Sequence, residues 1–397
     1  MSAIVTNARN RIAYNVVRSL GKRGIATYAA DFVPRSMSFA SRYAKGHFLY
    51  PSPFRQPEHF IQRLIDEIDR LRVDVLIPVF EETFLVAKHI QRFSGRVATV
   101  LPEYEKILVA HNKDKWEGVA RQLGIPVPSG LGVDALRADS TLLKGLRYPV
   151  LIKPKQGGGA WGIREVASWV ELNALLNCER QDGLAWERFF VQEKILGETH
   201  CVAMLLNRGK LRAKVAYRQL RDYPASGGQA TARVSVRSPE AEAHLQMLLE
   251  MMNWHGVCQA DFVVEAATRV PYLIDLNPRL WGSLAQSIAS GVDFPYLIYQ
   301  MAMEGDVDQV TRFKTGVVTR WVGGELGGFF PHLYRASEKT SFAKEFFWPR
   351  TRAALYDDFS MSDPCPFFVW MADSLLKAIR HRSLRATSHD ALDGTWE

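Results

Sequence analysis

Asp261, Asp275, Asn277 and Arg279 are the residues whose types and spacing converge on one chemistry. They lie in the stretch G-V-C-Q-A-D-F-V-V-E, A-A-T-R-V, P-Y-L-I-D-L-N-P-R-L-W-G-S, which begins at Gly256. Two apolar runs, Val257 to Val264 and Val270 to Leu276, flank a turn near Ala267, the pattern of a strand pair. Asp275 and Asn277 are two apart and share a face, and a hairpin closing near Ala267 brings Asp261 beside them. Two carboxylates and an amide oxygen make a hard, all-oxygen set of the kind Mg²⁺ accepts when substrate phosphates complete its shell. Arg279, two residues further, offers a planar fork to a phosphate or carboxylate. The competing reading is purely local: Asp275 and Asn277 end a strand, and Pro278 starts a turn.

A second group points to a nucleotide. Lys153 sits inside the apolar run Y-P-V-L-I-K-P, where a lysine is costly unless its ammonium meets an anion. Q-G-G-G-A-W-G follows at once, and Gly157, Gly158 and Gly159 would let successive N–H groups wrap a phosphate. A glycine loop alone is equally a flexible hairpin; the strand lysine beside it makes the pair specific. Phe189 to Ile195 is an apolar strand turning polar; an apolar slot with one or two polar side chains suits adenine, and a carboxylate such as Glu198 suits ribose hydroxyls, but taken alone the stretch reads as a surface turn. Arg218 and Arg221, beside a Gly-Gly loop, form a candidate anion pocket. Glu81 and Glu82 follow the strand Val75 to Val79, where α/β folds face their ligands; the alternative is a solvated first helical turn.

These groups need an α/β scaffold. Ala3 to Thr6 reads as a strand, Ile12, Val16, Val17 and Leu20 recur at helical spacing, and Ile25 to Ala30 is a second strand. That is a doubly wound start. Its first turn, T-N-A-R-N-R, has no glycine, so a nicotinamide dinucleotide site is excluded. Asn112 caps a helix holding Lys113, Lys115 and Trp116, which ends at Gly124 before an I-P-V-P connector, and a domain boundary is placed near residue 110. With 397 residues and 47% hydrophobic content, the chain supports two or three domains. The four cysteines lack metal spacing and read as free thiols. No signal peptide and no membrane span are visible, so a cytoplasmic enzyme is the expectation. The net charge of +8 is scattered apart from Lys377, Arg380, Arg382 and Arg385, which favours an anionic small substrate over nucleic acid.

The order of these pieces resembles the ATP-grasp superfamily, in its carboxylate–amine ligase branch. The likeness covers roughly residues 1–325 and rests on Lys113 before G-I-P-V-P, V-L-I-K-P with the glycine loop, V-Q-E-K-I-L-G-E, and Q-A-D-F…L-I-D-L-N-P-R. It implies an N-terminal doubly wound domain (1–110), an ATP-grasp domain (111–325, with a small α+β lid near 127–190 and an α+β core at 191–325), and a C-terminal extension (326–397). By resemblance, Lys113 and Lys153 contact ATP phosphates; Gln192, Glu193 and Ile195 frame adenine, and Glu198 the ribose. Asp261, Asp275 and Asn277 then hold two Mg²⁺ ions, with Mn²⁺ as a substitute, and Arg279 stabilises the transferring phosphoryl group. Arg218, Arg221 and Glu81 remain for substrate. The branch usually carries glutamate where this chain has Asp275, a shorter carboxylate.

The implied reaction is ADP-forming: ATP activates a carboxylate as an acyl phosphate, and an amine displaces phosphate to form an amide. The alternatives are carboxylase-like or kinase-like transfer to another acceptor, or a nucleotide-binding scaffold without turnover. Phe367 to Ile379 reads as an amphipathic helix with a basic end, expected to pack on the core, with membrane-surface contact as the lesser reading. A homo-oligomer stays open.

Overall fold

Alternating strand and helix patterns at the start of the chain fold as a parallel sheet. In the computed structural model, which describes residues 1–138, 141–154, 163–177, 189–223, 228–335 and 355–381, strands β1 (Ser2–Val5), β2 (Ala26–Asp31), β3 (Ala44–Leu49) and β4 (Val75–Ile77) line up in the order β3-β2-β1-β4, all parallel. Helix α1 (Arg11–Lys22) is capped by Asn10, whose side chain accepts from the Ile12 amide. It buries Ile12, Val16, Val17 and Leu20 against the sheet. Helix α2 (Pro57–Leu71) covers the other face with Phe60, Leu64 and Ile68. Helices α3 (Glu82–Lys88), α4 (Tyr104–His111) and α5 (Lys113–Gln122) follow. As read from sequence, Asn112 caps α5, accepting from the Lys115 amide at 3.2 Å. The chain reverses between β1 and β4, so their carboxyl ends open the crevice where such sheets bind ligands.

The second sheet is small and antiparallel: β5 (Gly130–Gly132), β6 (Val150–Pro154), β7 (Arg164–Val166) and β8 (Phe189–Glu193) in the order β5-β8-β6-β7. With α6 (Val133–Ala138), α7 (Leu142–Gly145) and α8 (Trp169–Asn177) it keeps its own core around Val150, Ile152, Val166, Leu172 and Val191. Gly157, Gly158 and Gly159 lie outside the described residues.

The third sheet is the largest. Strands β9 (Gly197–Asn207), β10 (Lys210–Tyr223), β11 (Gln229–Ser235), β12 (Gly256–Glu265), β13 (Pro271–Asn277), β14 (Val318–Arg320) and β15 (Leu355–Tyr356) take the order β13-β12-β9-β10-β11-β14-β15. Arg208 and Gly209 turn β9 into β10 with φ of 48° and 77°, the two-residue hairpin in which both turn residues are left-handed. Strand β10 is long because Arg218 to Tyr223 keep pairing with β11 through bulges. Helices α9 (Pro239–Met251), α10 (Leu284–Ala289) and α12 (Val322–Arg335) pack against this sheet, α11 (Phe294–Glu304) packs against α1 and β4 of the parallel sheet, and α13 (Cys365–His381) follows β15. The first and third sheets share one apolar core.

The segment between β15 and α13 joins the two halves through buried polar groups. Asp357 forms an ion pair with Arg233, both wholly buried, and lies 3.4 Å from Arg11 Nε on α1. Asn15 donates to the Asp357 carbonyl at 2.7 Å, Arg18 to Ser360 Oγ at 2.8 Å, and Tyr14 Oη to the Asp363 carbonyl at 3.0 Å. Asp363 accepts from Ser41 Oγ at 2.5 Å, and Asp358 caps α12 by accepting from the amides of Val322 and Gly323. Burial pushes the Asp358 carboxyl up to about 6.

Candidate active site

The β12–β13 hairpin places Asp261 directly opposite Asp275, and Gln259 opposite Asn277. Side chains so paired share a face with Cβ atoms about 5 Å apart. Gln259 Nε2 donates to Asp261 Oδ1 at 2.6 Å, and its Oε1 accepts from Asn277 Nδ2 at 3.0 Å. One glutamine therefore orients both neighbours. Burial, and then the Asp275 charge, push the Asp261 carboxyl up to about 6.

Two lysines meet this acidic face from other elements. Lys113 Nζ, in the first turn of α5, lies 3.3 Å from Asp275 Oδ1. Lys153, on β6, is buried, and its ammonium donates to Gln192 Oε1 at 2.8 Å. Gln192 in turn donates to Glu117 Oε1 at 3.1 Å. Burial, and then Lys113, push the Lys153 ammonium down to about 8. Glu117 stands four residues after Lys113 on the same helix face, a spacing visible in the sequence that was not used. Gln259 was also missed, although it stands two before Asp261 as Asn277 stands two after Asp275.

Arg279 leaves the end of β13 toward the parallel sheet. Its Nε donates to Glu81 Oε1 at 3.1 Å, and its guanidinium lies over the Phe80 ring, 4.2 Å from the centroid. Glu81 Oε2 is buried without a partner. Glu82 is wholly buried, so the solvated-helix alternative for this pair fails. It accepts from Asn7 Nδ2 at 2.8 Å and from Tyr50 Oη at 3.1 Å, and burial pushes its carboxyl up to about 7. Burial depresses His111, which feels Glu81, Arg279, Asp275 and Lys113.

Other sequence candidates stand apart. Strand alternation puts Glu198 and Arg218 on the sheet face opposite Asp261, because Asp261 pairs with Cys201 while Val264 pairs with Glu198. There Glu198 and Arg218 form an ion pair. Arg221 binds Glu325 of α12, with Nε to Oε1 at 2.8 Å. Glu193 accepts from the Arg147 amide at 2.9 Å, and Ile195 is buried.

The donor set fits the groups the sequence implies. Two paired carboxylates and an amide whose oxygen is not used in the bond to Gln259 are all-oxygen and call for a cation, and two lysines beside them call for an anion. Among the described residues no group of three or more His, Cys, Asp and Glu forms a metal cage, so an ion here would rely on Asn277 and on ligand oxygens.

Comparison with known proteins places this geometry. Residues 186–325 match the family model described as "ATP-grasp in the biosynthetic pathway with Ter operon". A D-alanine–D-alanine ligase from Albidiferax ferrireducens is 24% identical over 219 residues, a match spanning 50% of this chain and 62% of that enzyme's length. Among solved structures, biotin carboxylase from Campylobacter jejuni, a β-γ-ATP complex, superposes with a TM-score of 0.64 at 17% identity, covering 80% of this chain and 74% of that one. L-amino acid ligase from Bacillus licheniformis gives 0.58 at 13% identity, covering 76% and 74%. The sheet orders and these likenesses agree: the chain has the ATP-grasp fold, and its residues 186–325 match an ATP-grasp family model.

Proposed function

We propose that this chain is an ATP-dependent, ADP-forming ligase that activates a carboxylate as an acyl phosphate and joins it to an amine. The observation that carries this reading is the contact of Lys113, on the helix, with Asp275 beside Asp261 and Asn277 of the large sheet, with buried Lys153 of the small sheet near enough to feel the charges of Lys113 and Asp275. The ligase names among the curated relatives favour an amine acceptor.

In this reading the small sheet is a lid (about 127–190) over the core (191–325), and the parallel sheet (1–110) supplies the substrate side. Lys153 and Lys113 hold the phosphates, with the lysine charges fixed before ligand arrives. Gln192 anchors Lys153, while the stretch at the end of β8 that carries Gln192, Glu193 and Ile195 receives adenine. Asp261, Asp275 and Asn277 would hold Mg²⁺, which supplies neutralisation of phosphoryl charge when bound. Gln259 keeps Asp261 and Asn277 turned to one face. Arg279, braced by Glu81 and Phe80, orients the substrate carboxylate and stabilises charge as the phosphoryl group moves. No protein nucleophile is needed.

The test is ADP and phosphate release over a panel of acids and amines, with mass spectrometry of the products. An amide product supports the reading. Turnover that needs bicarbonate or a hydroxyl acceptor in place of an amine replaces it with carboxylase-like or kinase-like transfer, and ATP binding without turnover replaces it with a scaffold.

A further inference from the structure

Helix α13 is amphipathic the wrong way round for a helix whose role ends at packing on the core. At 100° per residue, Pro366, Trp370, Asp373 and Lys377 fall on one side, and Phe368, Met371, Leu375 and Ile379 on the other. The first side faces the protein. Trp370 packs against Gly323 of α12, where a Cβ would come within 2.1 Å of the indole, so glycine makes the seat. Asp373 and Lys377 pair on that side at 3.0 Å. The second side faces solvent, with Phe368, Leu375 and Ile379 exposed by 54%, 60% and 67%. Met371 and Leu376 are exposed beside them, and Met361 just before the helix is 85% exposed. Among the described residues nothing covers this stripe, and a continuous apolar stripe left open marks a contact surface.

Charge identifies the occupant. Asp373 is the only acidic residue between Pro364 and His389 in the sequence, and Lys377 pairs with it on the inward side, which leaves Arg380, His381, Arg382 and Arg385 as uncompensated charges of the same stretch. At the other end, exposed Arg42 donates to the Ser362 carbonyl at 3.4 Å. In sequence, the apolar stripe thus lies between basic residues, and among the described residues no carboxylate stands on its exposed side. A second copy docked about a two-fold axis would set basic end against basic end, like charge on like. We infer that α13 docks this protein on an anionic lipid surface, the Phe368–Met371–Leu375–Ile379 stripe entering the acyl boundary while the flanking arginines meet the headgroups. No described helix is long and apolar enough to cross a membrane, so the contact is peripheral. This inference does not depend on the reaction catalysed.

The experiment is flotation of the full chain with vesicles of phosphatidylcholine alone, or of phosphatidylcholine mixed with an equal part of phosphatidylglycerol. Binding is expected to the anionic vesicles alone. Phe368→Glu with Leu375→Glu should abolish it; both side chains are exposed, so circular dichroism should show an intact fold. Arg382→Ser and Arg385→Ser should each weaken binding about fivefold at low salt, with a shallower salt dependence. Absence of binding to anionic vesicles, equal binding to neutral ones, or binding unchanged in the double glutamate variant overturns the inference. So does a dimer in solution that the double variant splits while vesicle binding is absent.

Discussion

Arg279 Nε lies 3.1 Å from Glu81 Oε1, joining the end of the last long core strand to the end of the parallel sheet across 198 residues. Both side chains are mostly buried. Phe80, on which the guanidinium rests, takes φ of 63°, a left-handed conformation costly for a bulky residue and kept where a site over-determines it. Arg279→Ala should cut kcat by about 10²–10³ with ATP affinity nearly kept, the loss of a donor that acts as charge moves. It should also cost about 1–3 kcal/mol of stability, because Glu81 is left buried and unpaired. Glu81→Gln added to it should restore stability but not kcat, read by urea titration beside turnover.

Asp275 faces two cations in the proposed enzyme, Lys113 now and Mg²⁺ during turnover. Asp275→Asn should raise the Mg²⁺ concentration for half-maximal turnover and lower the rate sharply. Wild-type Mg²⁺ dependence in this variant would return Asp275 to a strand-end role.

Burial lowers the Lys153 ammonium to about 8, so its charge is present below that pH and lost above it. If it holds phosphate, ATP binding above about pH 8 must take up a proton. The Kd should then rise toward tenfold per pH unit. Calorimetry in buffers of different ionisation enthalpy measures that uptake, and Lys153→Arg should remove the slope. A Kd flat from neutral to alkaline pH would remove Lys153 from the site.

Glu82 titrates in the folded chain at about 7 against an ordinary 4.5. A raised carboxyl contributes stability that is whole below 4.5 and lost as pH rises through 7. Glu82→Gln should therefore flatten stability across that window, gaining about 3 kcal/mol at most over wild type on the alkaline side. Thermal melts at the two ends of the window check it.

Arg233 and Asp357 are wholly buried partners. Asp357→Asn should cost about 3–5 kcal/mol, since it strands a buried guanidinium and weakens the hold on Arg11. Arg233→Met with Asp357→Leu should cost less than the single change.

What the sequence revealed followed the range of each signal. The hairpin at Ala267 was readable because alternation and a turn are local, and register then forced Asp261 onto Asp275. Asn112 was readable as a cap for the same reason. The partners of Arg279, Arg221 and Arg233 were not, because Glu81, Glu325 and Asp357 come from elements far along the chain. Glu198 was placed by type, whereas the parity of β9 put it on the other face. Glu82 read equally as a ligand-facing acid or as a solvated helix start, and nothing local showed that Asn7 and Tyr50 would enclose it.

The last strand of the large sheet has a consequence for how the chain is made. β15 and the acids after it reach back to α1, near the beginning of the chain, and to β11 in its middle. Until the ribosome has added residues near Asp363, Arg11 and Arg233 have no Asp357, and Ser41 has no carboxylate to bind. The parallel sheet can form early, but its seating on the core waits for the C-terminal segment. A nascent chain stalled short of β15 would hold uncompensated guanidinium groups where the finished protein is dry, and it would be the form most exposed to chaperones and proteases.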